Sequence, residues 1–261
     1  MAAALVALSV AALSLVAASP VGESTGRSAP VGVAGGRAGP VADPGAPCRP
    51  DVLERVGTAR RSSVVIAQGR VVARSAPRGP VVARFGPRNV NDYQTLFAVR
   101  GRVVDASCRA SWYLVQLPLR PNGVTGYVRA RGVLLVSVPT RIDVDISARE
   151  LRFFNGGRLL LRTPAAIGAP ATPTPIGRFY VNQRLVSDTP DGPFGPGALG
   201  VSAFSPVLTD WEQGGPIAIH GTDDPASIGH PVSHGCVRVP NATLRRLFRA
   251  TPAGTPVVIH P

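Results

Sequence analysis

Between Arg70 and Val138 the chain runs in short Val-rich stretches, VVARSAP, VVARFGP, TLFAVRGRVVDAS, SWYLVQLP and GYVRARGVLLV, each bounded by glycine, proline or asparagine turn signals. β-Branched residues in strand-length runs, interrupted before a helix can complete three turns, leave short strands as the regular structure open to them. Five such strands within about seventy residues, two of them joined by the tight turn Pro121-Asn122-Gly123, suggest a small barrel. The same punctuation governs the whole chain, whose 261 residues include 29 glycines and 27 prolines, and its 44% hydrophobic content is enough to give two domains a core each.

The pattern resumes after Pro139. RIDVDIS and LRFFNGGRLLLRT alternate apolar and polar residues about an Asn155-Gly156 turn, and PTPIGRFYVNQRLV, ALGVSAFS, PIAIHG and PVVIH add further strands. One helix is expected from Asn241, which can cap it, with Leu244, Leu247 and Phe248 along one face. Asn241-Ala242-Thr243 also spells a glycosylation sequon, but the cap is the preferred reading. Ahead of the barrel, the segment Cys48 to Gln68 has Val52, Leu53 and Val56 at helical spacing, so part of it is expected to be helical.

The first residues, MAAALVALSVAALSLVAASP, form an apolar run that ends in small residues near Ala17 and Ala18. Residues 1–18 therefore read as a secretory signal, although no basic residue precedes Arg27; an uncleaved anchor is the alternative, because a run of this length is near the minimum that spans a bilayer, and only then would the membrane be a partner. Residues 19–47, rich in Gly, Pro, Ala and Ser, read as a flexible tether. Every basic residue is Arg, and the charge is uneven, with 17 arginines against 6 acids up to Val138 and 11 against 9 after it. On an exported chain, a basic front half points to anionic polymers or a membrane surface outside the cell; export and the lack of a recognition motif argue against nucleic acid.

Three cysteines leave at least one unpaired. Cys48 and Cys108 both belong to the front domain, residues 48–138, where a disulfide between them would staple the leading segment to the barrel, so Cys236 is the expected free thiol. It lies in IHGTDDPASIGHPVSHGCVR, which also holds three of the chain's four histidines. His220, His230, His234 and Cys236 are plausible metal ligands, but Gly229, Pro231 and Gly235 disrupt the helix that would align His230 with His234, so no metal is expected. A nucleophile with its base fits better. Ile217-Ala218-Ile219 reads as a strand ending at His220, and an extended segment at Ser233 to Val237 would place His234 and Cys236 on one face. Gly235 then lets the main chain approach a bound carbonyl, so that nearby backbone N–H groups can stabilise an oxyanion.

IHGT and SHGCVR, with TPIGRFY upstream, resemble the L,D-transpeptidase (YkuD) catalytic domain from about Thr140 to Ile259, which assigns residues 139–261 to that domain, and SWYLVQLPLRPNGVTGYVRARGV is similar to the closing hairpin of a bacterial SH3-like domain. The resemblance implies a mainly β fold: a small SH3-like barrel followed by an L,D-transpeptidase-type β-sandwich with one or two short helices. It also implies Cys236 as nucleophile, His220 as general base and His234 as a residue shaping the oxyanion pocket. Gly221, Thr222, Ser233, Gly235, Arg238 and Tyr180 would contact substrate, and no cofactor is implied. The lid is expected within Asn182 to Gly200, and His230 receives no role. The implied reaction joins peptidoglycan stem peptides, as donor and acceptor, in 3→3 cross-links at the cell wall or the extracytoplasmic face of the membrane. Water as acceptor would make it an L,D-carboxypeptidase, and a degenerate catalytic domain would make it a wall-binding module.

Overall fold

The computed structural model describes residues 49–58 and 60–261. The expected signal peptide, the tether and Cys48 lie outside the described residues. Strands β1 (Leu53–Glu54), β2 (Ser62–Ala67), β3 (Val71–Arg74), β4 (Val81–Phe85), β5 (Leu96–Val104), β6 (Ala110–Gln116), β7 (Thr125–Arg129) and β8 (Val133–Val138) form one sheet. Its order is β4-β3-β7-β6-β5-β2-β8, with β1 paired to β5. Alternation selects its core, in which Val65, Phe97, Val115, Leu117 and Val128 are fully buried.

The leading segment is extended, which corrects the helical expectation. Leu53 pairs with Val103 and Glu54 with Arg102. Positive φ at Asp51 and Gly57 brackets the segment and leaves no room for helical turns. Cys108, in the turn between β5 and β6, is disulfide-bonded.

The second sheet is built from β9 (Thr140–Asp145), β10 (Glu150–Asn155), β11 (Arg158–Pro164), β13 (Gly177–Val186), β14 (Gly197–Phe204), β15 (Pro216–His220), β17 (Val237–Arg238) and β18 (Pro256–His260). The order is β11-β10-β9-β18-β13-β14-β15-β17, while β12 (Ile167–Gly168) and β16 (Pro231–Ser233) form a separate parallel pair. Residues from both ends of the long sheet, Leu151 at one and Val237 at the other, join a single core with Ile142, Phe179, Leu199 and Ile219. The sheet thus folds back on itself as a sandwich. Helix α1 (Asn241–Ala250) packs on this core through Leu244 and Leu247, at the spacing the sequence predicts. Its N-cap is Pro240 rather than Asn241, because Asn241 is already the first helical residue and its side chain points to a neighbouring strand end.

The two sheets meet along a seam centred on Tyr180. Phe179 and Val181 face the sandwich core, so alternation turns Tyr180 to the opposite face, which the front sheet covers with Leu96, Ala98, Ile66 and Tyr93. The phenol is fully buried and donates toward the carbonyls of Leu96 (3.2 Å) and Gln116 (3.4 Å), and burial pushes its pKa upward. Tyr180 is therefore a seam residue, which corrects its expected contact with substrate. Polar partners flank it: Gln116 Nε2 donates to the Arg178 carbonyl at 2.9 Å, and the Asn89 and Asn91 amides both donate to Gln183 Oε1, at 2.8 and 3.0 Å.

Candidate active site

β15 and β17 run parallel, with Ile219 opposite Val237 and His220 opposite Arg238. Ile219 and Val237 are fully buried and anchor the two strand ends to the core. The turn entering β17 is closed by Ser233, whose Oγ donates to the Cys236 carbonyl at 2.5 Å and accepts the Gly235 N–H at 3.1 Å. Gly235 holds φ at 108°, and a Cβ there would stand 3.1 Å from Ile217 Cδ1, so the turn needs glycine on both counts. The half-buried Cys236 is thereby brought against β15, where its Sγ accepts the Ala218 N–H at 3.4 Å. It is the free cysteine among the described residues.

His220 ends β15 and is 4% exposed. Its Nδ1 lies 2.6 Å from the Gly221 carbonyl. A carbonyl can only accept, so Nδ1 carries the proton and Nε2 keeps its lone pair. Burial pushes the imidazole down to about 4, opposed by the bond to Gly221 and assisted by the charge of Arg238. Burial also raises the Cys236 thiol, and the Ala218 N–H and Arg238 act against it. The resting pair is consequently a neutral thiol and a neutral imidazole. Arg238 is half-buried, and its Nε is shielded from solvent without a hydrogen-bond partner.

The other expected contacts divide. Thr222 and Ser233 are 2% and 1% exposed, and their hydroxyls are taken up by local turns, Thr222 with the backbone of Asp224 and Ser233 within its own turn. Gly221 is packed so closely that a Cβ would fall 2.1 Å from Asn241 Oδ1. These three residues shape the site from behind, which corrects their assignment as substrate contacts. His234 is exposed, with its ring 5.3 Å from that of Trp211. His230 is exposed too, its carbonyl accepting the Ile167 N–H. Among the described residues no group of three His, Cys, Asp or Glu side chains is placed to hold a metal ion.

Of the lid expected within Asn182 to Gly200, β13 and β14 claim both ends, leaving 187–196 as the loop. It reaches the site through Phe194, whose carbonyl accepts the Gly221 N–H at 3.0 Å and whose ring meets His220 edge-on at 5.0 Å. Phe194 and Trp211, each about half exposed, thus stand beside the two histidines that flank Cys236. Sequence reasoning passed over both, and it read Asn241 only as a helix cap, whereas its Oδ1 accepts the Thr222 N–H at 2.8 Å. Trp211 carried a signal, being one of only two tryptophans and lying outside any apolar period.

A strand-end imidazole with a free nitrogen lone pair beside a single unpaired thiol is the equipment of a cysteine-dependent enzyme. The family model for the L,D-transpeptidase catalytic domain (YkuD) matches residues 139–259. The L,D-transpeptidase-family protein YkuD of Bacillus licheniformis is 38% identical over 125 residues, covering 48% of this chain and 68% of that protein. Its counterpart in Bacillus subtilis is 37% identical over 124 residues, with the same coverage of 48% and 68%. A crystal structure of an Enterococcus faecium L,D-transpeptidase shares 28% identity, covering 46% of this chain and 49% of that one, with a TM-score of 0.36. The chain spans about half the length of the Enterococcus chain (49%). The chain belongs to the L,D-transpeptidase (YkuD) family and is an enzyme of that class.

Proposed function

We propose that the protein is a peptidoglycan L,D-transpeptidase in which Cys236 is the nucleophile and His220 the general base. The observation that carries this reading is the tautomer of His220: the Nδ1–H bond to the Gly221 carbonyl leaves Nε2 free to take the thiol proton. The donor is the tetrapeptide stem. As Sγ bonds to the carbonyl carbon of the stem's third residue, His220 accepts the thiol proton and then returns it to the departing amine of the terminal D-alanine. The C–N bond breaks and a thioester remains. The side-chain amine of a second stem then attacks the thioester, forming a new amide and restoring the Cys236 thiol, so the bond energy of the D-alanine amide passes through the thioester without ATP.

The Gly235 N–H is engaged by Ser233, so the Cys236 N–H is the turn donor that fits the oxyanion. The unpartnered Nε of Arg238 suits a carboxylate of the donor stem. The loop 187–196, with Phe194 against His220, is the lid.

The test is incubation of the full chain with a tetrapeptide muropeptide, following intact mass, released D-alanine and products. A thioester on the wild type that is lost in Cys236→Ala, followed by dimer, supports transpeptidation. Tripeptide without dimer assigns the carboxypeptidase reaction, and turnover by Cys236→Ala overturns the nucleophile.

For the front domain we read an SH3-like barrel whose groove, of about 240 Å³, contacts anionic wall polymer. Arg70, Arg74, Arg129 and Arg131 surround it with Trp112, and the Arg129 guanidinium lies 4.8 Å over the Trp112 ring. No carboxylate lines the groove, so its charges are left for a polyanion. Binding of full-length Cys236→Ala to sacculi should weaken steeply with salt and on Arg70→Gln/Arg131→Gln substitution; salt-independent binding would remove the electrostatic role. A wall substrate supports reading the protein as working outside the cytoplasm.

A further inference from the structure

The loop 205–215 between β14 and β15, which carries Trp211, is gripped at its base by two side chains of the front sheet. Arg120, at the turn between β6 and β7, donates through Nη2 to the carbonyls of Ser205 (2.8 Å) and Gly214 (2.5 Å), and through Nε again to Gly214 (3.1 Å). Its guanidinium also lies 5.5 Å from the Phe204 ring centroid. Two residues on, the Asn122 amide takes both backbone groups of Phe204: Nδ2 donates to the Phe204 carbonyl at 2.8 Å, and Oδ1 accepts the Phe204 N–H at 2.9 Å.

Asn122 fills a gap that the strand pairing creates. Phe204 faces Pro216 across a register shift between β14 and β15. The Ser205 N–H bond to the Gly215 carbonyl makes this a non-hydrogen-bonded pair, so the Phe204 N–H and carbonyl both face away from β15, on the side that β13 does not reach. The Asn122 amide takes the place of the missing strand partner. Within the loop, the Ser205 N–H donates to the Gly215 carbonyl at 2.8 Å, and Ser205 Oγ accepts from Val207 and Leu208. Those bonds pinch the loop closed but do not fix its direction; the contacts to Arg120 and Asn122 do. At its far end, the Trp211 ring rests 5.3 Å from His234, two residues before Cys236.

We propose that the front domain, through Arg120 and Asn122, is a positioning element of the active site: it aims loop 205–215 so that Trp211 forms the substrate-facing wall beside His234. This rests on reading the Cys236 pocket as the reactive site. The front half then acts on turnover by setting the geometry of the cleft, separately from any hold on the wall. Arg120 and Asn122 touch no reacting atom, so their loss should act on substrate binding more than on the chemical step.

The test uses the full chain and compares Arg120→Ala, Arg120→Lys, Asn122→Ala and Trp211→Leu. Two readouts are taken: steady-state kinetics on a tetrapeptide donor, and the imidazole proton resonances, legible because the chain has four histidines. The His234 resonances of Arg120→Ala and Asn122→Ala should move toward those of Trp211→Leu, as the ring current of the indole is lost. KM should rise roughly five- to tenfold with kcat within about twofold, and Arg120→Lys should recover part of the loss. Asn122→Ala removes only neutral hydrogen bonds at an exposed turn and keeps the test open should Arg120→Ala unfold. Unmoved His234 resonances in both clamp variants, or an unchanged KM in Trp211→Leu, would overturn the proposal. An inert wild type whose His234 resonances still respond to the clamp variants would uphold the positioning and sink the transpeptidase reading instead.

Discussion

His220 and Arg238 face each other across the parallel pair β15 and β17, and the guanidinium disfavours the proton on the imidazole and on the Cys236 thiol alike. Burial works with Arg238 at the histidine and against it at the cysteine, where burial is the larger influence. On the proposed mechanism, the Cys236 nucleophile is therefore made at the moment of attack, not stored as a thiolate–imidazolium pair.

Alkylation of the resting enzyme should expose this. Iodoacetamide should label Cys236 slowly at neutral pH, with a rate that climbs through and beyond the ordinary thiol range. Arg238→Gln should slow labelling further at each pH by removing the charge that favours the thiolate. A fast, pH-independent plateau between pH 5 and 7 would show an ion pair instead.

The buried imidazole also sets an acid limit on stability. Folded His220 takes a proton only near pH 4, whereas the unfolded chain takes it near the ordinary 6.5, so between those values the unfolded state binds more protons. Stability therefore falls as pH drops through that window, by about 3 kcal/mol at full extent, and this contribution to the pH dependence vanishes above it. Denaturant melts at pH 7 and pH 4 should show the loss in wild type and a smaller one in His220→Asn.

At the seam, Tyr180→Phe should cost about 1 kcal/mol by leaving the Leu96 and Gln116 carbonyls without their donor, while KM stays unchanged. Tyr180→Ala should cost about 3–5 kcal/mol through the void it opens. A selective rise in KM for the Phe variant would return Tyr180 to the substrate side.

Gly235→Ala should strain the turn that presents Cys236, because φ stays positive and the new Cβ crowds Ile217. We expect destabilisation of about 1–2 kcal/mol, with labelling of Cys236 altered as the turn shifts. Asn241→Ala should release the Thr222 N–H and cost about 1–2 kcal/mol through that bond alone, because the Asn241 side chain does not cap the helix.

What the sequence made legible was local. Alternation located the strands, and the Asn155-Gly156 signal marked a turn that the structure closes with positive φ at Gly156 and Gly157. The strand-end reading placed His220 at the end of β15, but the stretch expected to be extended from Ser233 to Val237 is a turn with positive φ at Gly235, and it is that turn which sets Cys236 against β15. Alternation also says that Tyr180 opposes Phe179 and Val181, but not that a second sheet covers that face. Thr222 and Ser233 were assigned to substrate by resemblance alone; nearby backbone groups in the turns take their hydroxyls first. Asn241 was misjudged by one position, enough to change a cap into a brace across to Thr222.

The seam changes what Pro139 divides. It separates two sheets in the chain, yet the Tyr180 ring, the Gln183 amide and the Arg178 carbonyl all find their partners on the other side of it. Transplanting the catalytic half behind a different module would lay bare the apolar face around Tyr180 that the front sheet now covers. Swapping modules in this protein therefore means redesigning a surface, with Tyr180 and its neighbours replaced together, and not merely rejoining a linker.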